Sequence, residues 1–462
     1  MPRLFGSELS IFSFALVSFF LGELGDGLNI FQGVYLVAIG WSEGSVGFAL
    51  SIMGFTALAI QTYAGDIIDN TSCDRRRFLS SASIVTALCA MSIVFVSKGN
   101  DNHTLVFASK FIEGISSSFI APCLAALTMA TFGPDKFDDA MASNMFWGHV
   151  GSCVSALLAG TAAYALYPNI QYCFVVIGSS AIAAVGATKY LPEGDPLLGR
   201  GLEQKYSIDT AGSSETEDND IANAGPISAY VEMEEQEQGR RGCLPALSSY
   251  WSIFSDRKTI VLCFTGFFFH FANANVLLVL GELMGGDNED GSVKRNAIPL
   301  IACAIIVSQV MMSVATFAGD AMTKSGWGRR PLIIVGLLTV PIRCALIIFW
   351  KDAGEAYLLS TQVLDGLGDG ILTLMHPILV ADVTFGTGRF NLLMGFSASW
   401  FGLGATLSNL LGQIIVERMG HVASLIGSFA LSIVAVVLYA LAMPETRELR
   451  RKMDGNKRQS LE

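Results

Sequence analysis

Residues 297–323 read AIPLIACAIIVSQVMMSVATFAGDAMT, and residues 44–69 read GSVGFALSIMGFTALAIQTYAGDIID. Each stretch exceeds the roughly 20 residues that a helix rising 1.5 Å per residue needs to cross a 30 Å hydrocarbon core. Neither carries a charge before its Gly-Asp pair, Gly65-Asp66 or Gly319-Asp320. Comparable apolar windows fall near 11–39, 76–97, 104–131, 140–167 and 169–190, and again near 259–284, 330–350, 354–382, 391–416 and 421–442. The pattern predicts an all-α membrane protein of twelve transmembrane helices in two six-helix bundles, 1–191 and 257–443, related by pseudo-two-fold symmetry.

Composition agrees, because 52% of the 462 residues are hydrophobic and 15% charged, against about 25% charged in soluble domains. Much of the acid behind the net charge of −11 is gathered between Glu193 and Glu237, which argues against nucleic acid as a partner. The span 192–256 is too polar to bury a core and reads as a disordered acidic linker. It ends in Leu244, Leu247, Tyr250, Trp251 and Phe254 at helical spacing, an expected interfacial helix. Residues 444–462 form a basic tail. Nine scattered cysteines give no disulfide framework or metal spacing, and the run from Ile11 to Gly40 lacks a cleavage site and reads as an uncleaved first span.

Basic residues set the orientation. Arg3, Arg75, Arg76, Arg77, Lys136, Lys324, Arg329, Arg330, Arg389 and the tail share one side with the linker, whereas Lys98, Lys294, Arg295, Lys351 and Arg418 fall on the other. By the positive-inside rule the termini and linker face the cytoplasm. The expectation is an integral multi-pass protein, with the plasma membrane the favoured site, monomeric, in contact with lipid and with a small-molecule solute.

The halves repeat one another. Ala64-Gly65-Asp66 answers Ala318-Gly319-Asp320 at an offset of 254, Glu113-Gly114 answers Asp365-Gly366, and Asn144-x-x-x-Gly148 answers Asn391-x-x-x-Gly395. Small-residue runs, Gly402-x-Gly404 and Ser116-Ser117-Ser118, suggest close helix packing.

Six plus six spans, a central loop and a Gly-Asp basic element after spans two and eight resemble the major facilitator superfamily. Its loop signature, G-x-x-x-D-[RK]-x-G-x-[RK]-[RK], is met by Gly65, Asp69 and Arg75, with Asn70, Ser72 and Asp74 departing. The second half keeps Gly319, Lys324, Gly326 and Arg329, but Thr323 replaces the acid. The antiporter Gly-Pro pair is missing from Ser143–Gly160, and HFANA at 270–274 with GTGRFN at 386–391 resembles a poorly characterised branch. The resemblance implies that spans one, four, seven and ten line a central cavity around which the halves rock. It also implies an inner gate of Asp66, Asp69, Arg75, Asp320 and Lys324, in which the motif acid caps a helix N-terminus of the other half.

A charge at mid-bilayer costs roughly 2.5–3.5 kcal/mol and should face a cavity or a partner. Such groups gather in those four spans: Glu23 and Asp26 in the first, Lys110 and Glu113 in the fourth, His270, Asn273 and Asn275 in the seventh, Asp365, Asp369 and His376 in the tenth. Gln309, Arg343 and His149 are exceptions. Glu23, Asp26, Glu113, His270, Asn273, Asp365 and Asp369 are the candidates for binding solute or protons. Asp365 and Asp369, four apart, share one helix face, and two like charges in low dielectric favour proton uptake. The bland alternatives pair Asp365 with Arg343 and Lys110 with Glu113. No nucleotide, nucleophile or metal motif occurs, so the chain reads as no enzyme, with no cofactor or metal. It is expected to be a secondary transporter of a small polar organic solute, with protons as a candidate coupling ion; a facilitative uniporter and a transport-inactive receptor or scaffold remain the alternatives.

Overall fold

The computed structural model of the chain describes residues 2–22, 24, 32–33, 35–36, 39–41, 43–71, 73–97, 102–167, 169–202, 255–285 and 297–447. Glu23, Asp26, residues 203–254 with the expected interfacial helix, and the tail beyond 447 lie outside the described residues.

Among the described residues the elements are helical: α1 (Pro2–Gly22), α2 (Glu43–Asn70), α3 (Arg75–Met91), α4 (His103–Ser117), α5 (Ile120–Ala165), α6 (Val175–Thr188), α7 (Arg257–Gly285), α8 (Ala297–Lys324), α9 (Arg329–Trp350), α10 (Glu355–Ser360), α11 (Gln362–Thr384), α12 (Phe390–Met419) and α13 (His421–Ala442), with short 3₁₀ turns between some of them. Ten helical stretches among them are long and apolar enough to cross a membrane. One, His103–Ala165, runs for 63 residues, enough for more than two crossings. Ile182, Phe349 and Leu441, at 77%, 74% and 79% exposure, show the apolar surface such helices present to lipid.

Local chemistry explains several boundaries. Pro2 opens α1, where its missing N–H costs nothing; the helix thus begins well before the expected residue 11. Asp74 accepts from the Arg76 backbone N–H at 2.9 Å and caps α3. Hydrogen bonds from the Arg76 guanidinium hold the Asp74 carboxyl below its usual range. The window expected as one span over 104–131 is divided, since α4 ends at Ser117 and α5 begins at Ile120. Ser116, Ser117 and Ser118 turn their hydroxyls back to the Glu113 and Gly114 carbonyls, competing with the helical ladder. Farther on, Gly133 (φ +70°) and Pro134 break α5 internally.

Two long contacts join the halves: α2 lies along α12, and α5 along α8. At the first, a Cβ on Gly65 would overlap the Asn391 carbonyl, and one on Gly395 the Gln61 carbonyl, so the backbones touch only because both residues are glycine. At the second, Ile298, Ala302 and Ile305 of α8 join the buried core of the first half. A Cβ on Gly404 would overlap the Phe267 carbonyl, but one on Gly402 would meet nothing within 4 Å; of that expected pair only Gly404 marks close packing.

Residues 192–202, expected to belong to the disordered linker, are ordered: Asp195 N–H donates to the Ala130 carbonyl at 2.8 Å, and Gly386 N–H to the Gly201 carbonyl at 2.9 Å. Composition misled because Leu197, Leu198 and Leu202 are embedded in a run of Gly, Asp and Pro.

Candidate functional site

Four helices of the second half bring their polar residues to one point. Arg343 of α9 is wholly buried. Its Nη1 donates to Asp365 Oδ1 of α11 at 2.5 Å and to Asn273 Oδ1 of α7 at 2.9 Å. Asn273 Nδ2 donates to Asp365 Oδ1 at 2.9 Å and reaches Asp369 Oδ2 at 3.4 Å, while Ser308 of α8 donates to Asp365 Oδ2 at 3.0 Å. One amide thus links both carboxylates of the i, i+4 pair, and one guanidinium neutralises Asp365. Arg343 Nε and Nη2, and both ends of the Gln362 amide one turn before Asp365, have no hydrogen-bond partner among the described residues although they are buried.

Asn275 belongs elsewhere. Two residues apart on a helix means about 200° of rotation, and Asn275 meets Gln413, Ser424 and Ser408 of α12 and α13. His270 and His376 flank the Phe401 ring, at centroid distances of 5.4 Å and 4.7 Å, and His376 Nε2 is 2.6 Å from Ser397 Oγ. Neither histidine joins the Arg343 group in any described hydrogen bond. In the first half, Lys110 Nζ lies 2.8 Å from Glu113 Oε2 and also donates to Gln32, all buried. His149 Nδ1 sits 3.0 Å from Gln309 Oε1 across the α5–α8 contact.

At the end of the bundle where the basic loops lie, buried Asp69 sits on the N-terminus of α12. Its Oδ1 accepts from Asn391 Nδ2 at 2.7 Å and Asn391 N–H at 3.3 Å, and its Oδ2 accepts from Leu392 N–H at 2.8 Å. A carboxylate there meets unsatisfied N–H donors and the positive end of the helix dipole. Arg75 donates to the Ile68 carbonyl at 3.3 Å and the Pro196 carbonyl at 3.2 Å. Asp66 accepts from Asn70 at 3.1 Å and feels the charge of Arg389 from the other half.

The other repeat solves the same problem differently. With Thr323 in place of the acid, the halves are joined by two ion pairs, Lys324 with Asp139 at 3.4 Å and Arg329 with Asp138 at 3.0 Å, and each cation is held within its own half by a second acid, Asp320 at 2.6 Å and Asp382 at 2.8 Å. Thr446 completes the group, donating to Asp382 Oδ2 at 2.9 Å. The sequence match of Asn144 to Asn391 does not carry over to position: Asn391 stands in the first turn of α12, whereas Asn144 lies inside α5, beyond the Gly133 break, donating to Thr128 at 2.9 Å.

Sequence reasoning passed over Asp138, Asp382, Gln32 and Gln362. It also passed over a repeat in plain view, Leu191-Pro192-Glu193 and Met443-Pro444-Glu445 at an offset of 252. Glu193 pairs with Arg76, and Glu445 accepts from the Arg329 and Arg330 N–H groups at 3.0 Å and 3.1 Å, capping α9.

A family model described as Major Facilitator Superfamily matches residues 4–325. Two relatives, each an uncharacterized MFS-type transporter from a strain of Mycobacterium tuberculosis, are 30% identical over 433 residues, covering 93% of this chain and 92% of theirs.

Proposed function

Because the chain belongs to the major facilitator superfamily, a family of membrane transporters and not of enzymes, we propose that its twelve spans form two six-helix bundles that carry a small polar organic solute by alternating access. In this reading the basic end faces the cytoplasm and is closed. The observation that carries it is the seat of Asp69 on the first turn of α12, a polar contact between halves at the basic end. Such a contact biases a two-state equilibrium toward the state in which that end is shut.

The solute site lies among Glu23, Asp26, Glu113, His270, Asn273, Asp365 and Asp369. The partnerless donors of Arg343 and the Gln362 amide support a polar ligand, because buried polar groups without protein partners are met by water or ligand. Protons are the coupling ion, carried at Asp369 and Asp26. One observation favours uniport instead: Asp365, half of the carboxylate pair, is already neutralised by Arg343 at 2.5 Å.

A thermal-shift screen of metabolites identifies the solute, since a ligand that prefers the native state raises its stability. Uptake into proteoliposomes under a pH gradient then separates the readings. Proton coupling requires that an ionophore abolish accumulation and that Asp369→Asn retain exchange at equal pH while losing accumulation. Uptake indifferent to ionophore leaves uniport, and no flux of a bound solute leaves a receptor.

A further inference from the structure

Between the two halves at the basic end lies a third body, residues 194–202. The first half holds one side of it. Asp195 N–H donates to the Ala130 carbonyl at 2.8 Å and Arg75 to the Pro196 carbonyl at 3.2 Å, while Asp195 Oδ1 accepts from Leu197 N–H at 2.8 Å and tightens the turn. Gly194 (φ +68°) lies so close to Ala130 that a Cβ would come within 2.6 Å of its carbonyl carbon. The second half holds the other side. Asn391 Nδ2 donates to the Gly199 carbonyl and Gly386 N–H to the Gly201 carbonyl, both at 2.9 Å. Leu198 and Leu202 line one slot together with Met129 and Pro134 of α5 and Phe385 and Phe390 at the α11–α12 turn.

The counterpart after α13 does not cross. Glu445, Thr446 and Arg447 bond to Arg329, Arg330, Asp382 and Trp327, all in their own half. Bridging is therefore peculiar to the segment after α6, and is not a by-product of the repeat. Asn391 ties it directly to the gate, since the same amide nitrogen donates to Asp69 and to Gly199.

We infer that residues 194–202 are a strap that latches the halves at the basic end, so that this end opens only when the strap leaves the α11–α12 turn. The inference rests on the alternating-access reading above. Residue 201 offers a selective lesion: Gly201 has φ +80°, and a Cβ there would stand 3.2 Å from Phe390 Cβ, so Gly201→Ala strains the strap against the second half without touching a helix core. Leu202→Asn is a second, independent lesion, because Leu202 packs over Gly388.

The test uses the full chain in detergent with Ser399→Cys as reporter. Ser399 is 5% exposed and 3.3 Å from Thr62 across the α2–α12 contact. Modification by a hydrophilic maleimide, corrected for the protein lacking that cysteine, reports how often the contact opens. Gly201→Ala and Leu202→Asn should each raise the rate about fivefold, the ratio expected from one lost hydrogen bond of ordinary net strength. Leu197→Ser, on the exposed side of the strap, should match the parent. Asp69→Asn serves as the gate control. A faster rate for Asp69→Asn with parent-like rates for both strap variants overturns the strap alone. Parent-like rates for all three, in protein that still melts cooperatively, overturn the gate reading and the strap with it.

Discussion

Replacing Arg343 with methionine removes a cation with no exposed surface while keeping most of its stem volume. Asp365 then retains only Asn273 Nδ2 at 2.9 Å and Ser308 Oγ at 3.0 Å, two neutral donors for a buried charge. With charges about 4 Å apart at an effective dielectric near 20, the lost attraction is ~4 kcal/mol, and removing one member of a buried pair costs ~3–5 kcal/mol. If the second half unfolds as a unit, Arg343→Met should lower the melting temperature in detergent by about 6–20 °C, at about 2–4 °C per kcal/mol. Arg343→Met with Asp365→Leu should recover most of that loss, because no unpaired charge remains. A shift below about 2 °C for the single variant, or a double variant no more stable than it, would refute the claim that this pair is locked.

Asp69→Asn replaces a charge-assisted contact with a neutral one and should lower stability by ~1–2 kcal/mol, read in the same melt. Gly395→Leu drives a side chain into the Gln61 carbonyl, so solute uptake should fall about tenfold or more while the protein remains folded, as overpacking by a few kcal/mol requires; parent-like uptake would mean that α2 and α12 need not touch. Asp74→Ala loses the α3 cap, ~1 kcal/mol at pH 7. The Asp74 pKa is depressed in the folded chain, so its contribution is present above the unfolded value and lost as pH falls through the folded one; melts of variant and parent should therefore converge in acid.

How much of this was legible in the sequence depended on whether the partners shared an element. Asp365 and Asp369 sit on one helix, so spacing alone put them on one face, and charge scarcity in apolar windows drew attention to Arg343. Asp69 stood in a motif whose resemblance implied a helix N-terminus of the other half, though not that the helix is α12, nor that the donors are Asn391 and Leu392. Asp382 and Asp138 were invisible for the opposite reason: their cation, Arg329, comes from a third helix, and no local period encodes a meeting of three. Gln362 and Gln32 are uncharged, so insertion cost did not flag them, yet each has 1% or less of its surface exposed. The Pro-Glu repeat is readable in the sequence, but it stands at the ends of spans, outside the apolar windows that carry the hydropathy signal. The strap was misread because the polar run following it dominated the average composition.

Helix α7 carries two asparagines on opposite faces, and this lets one helix serve two separate polar circuits. Asn273 belongs to a circuit that contains a guanidinium and two carboxylates; Asn275 belongs to one built wholly from amides and hydroxyls. Ala274 lies between them in sequence, and Ala272 is wholly buried. The described hydrogen bonds keep the charged circuit on the side of α8, α9 and α11 and the neutral one on the side of α12 and α13. Polar-to-polar substitutions among Asn275, Gln413 and Ser424 should therefore leave the Arg343–Asp365 pair in place, since the two circuits share a helix and no side chain.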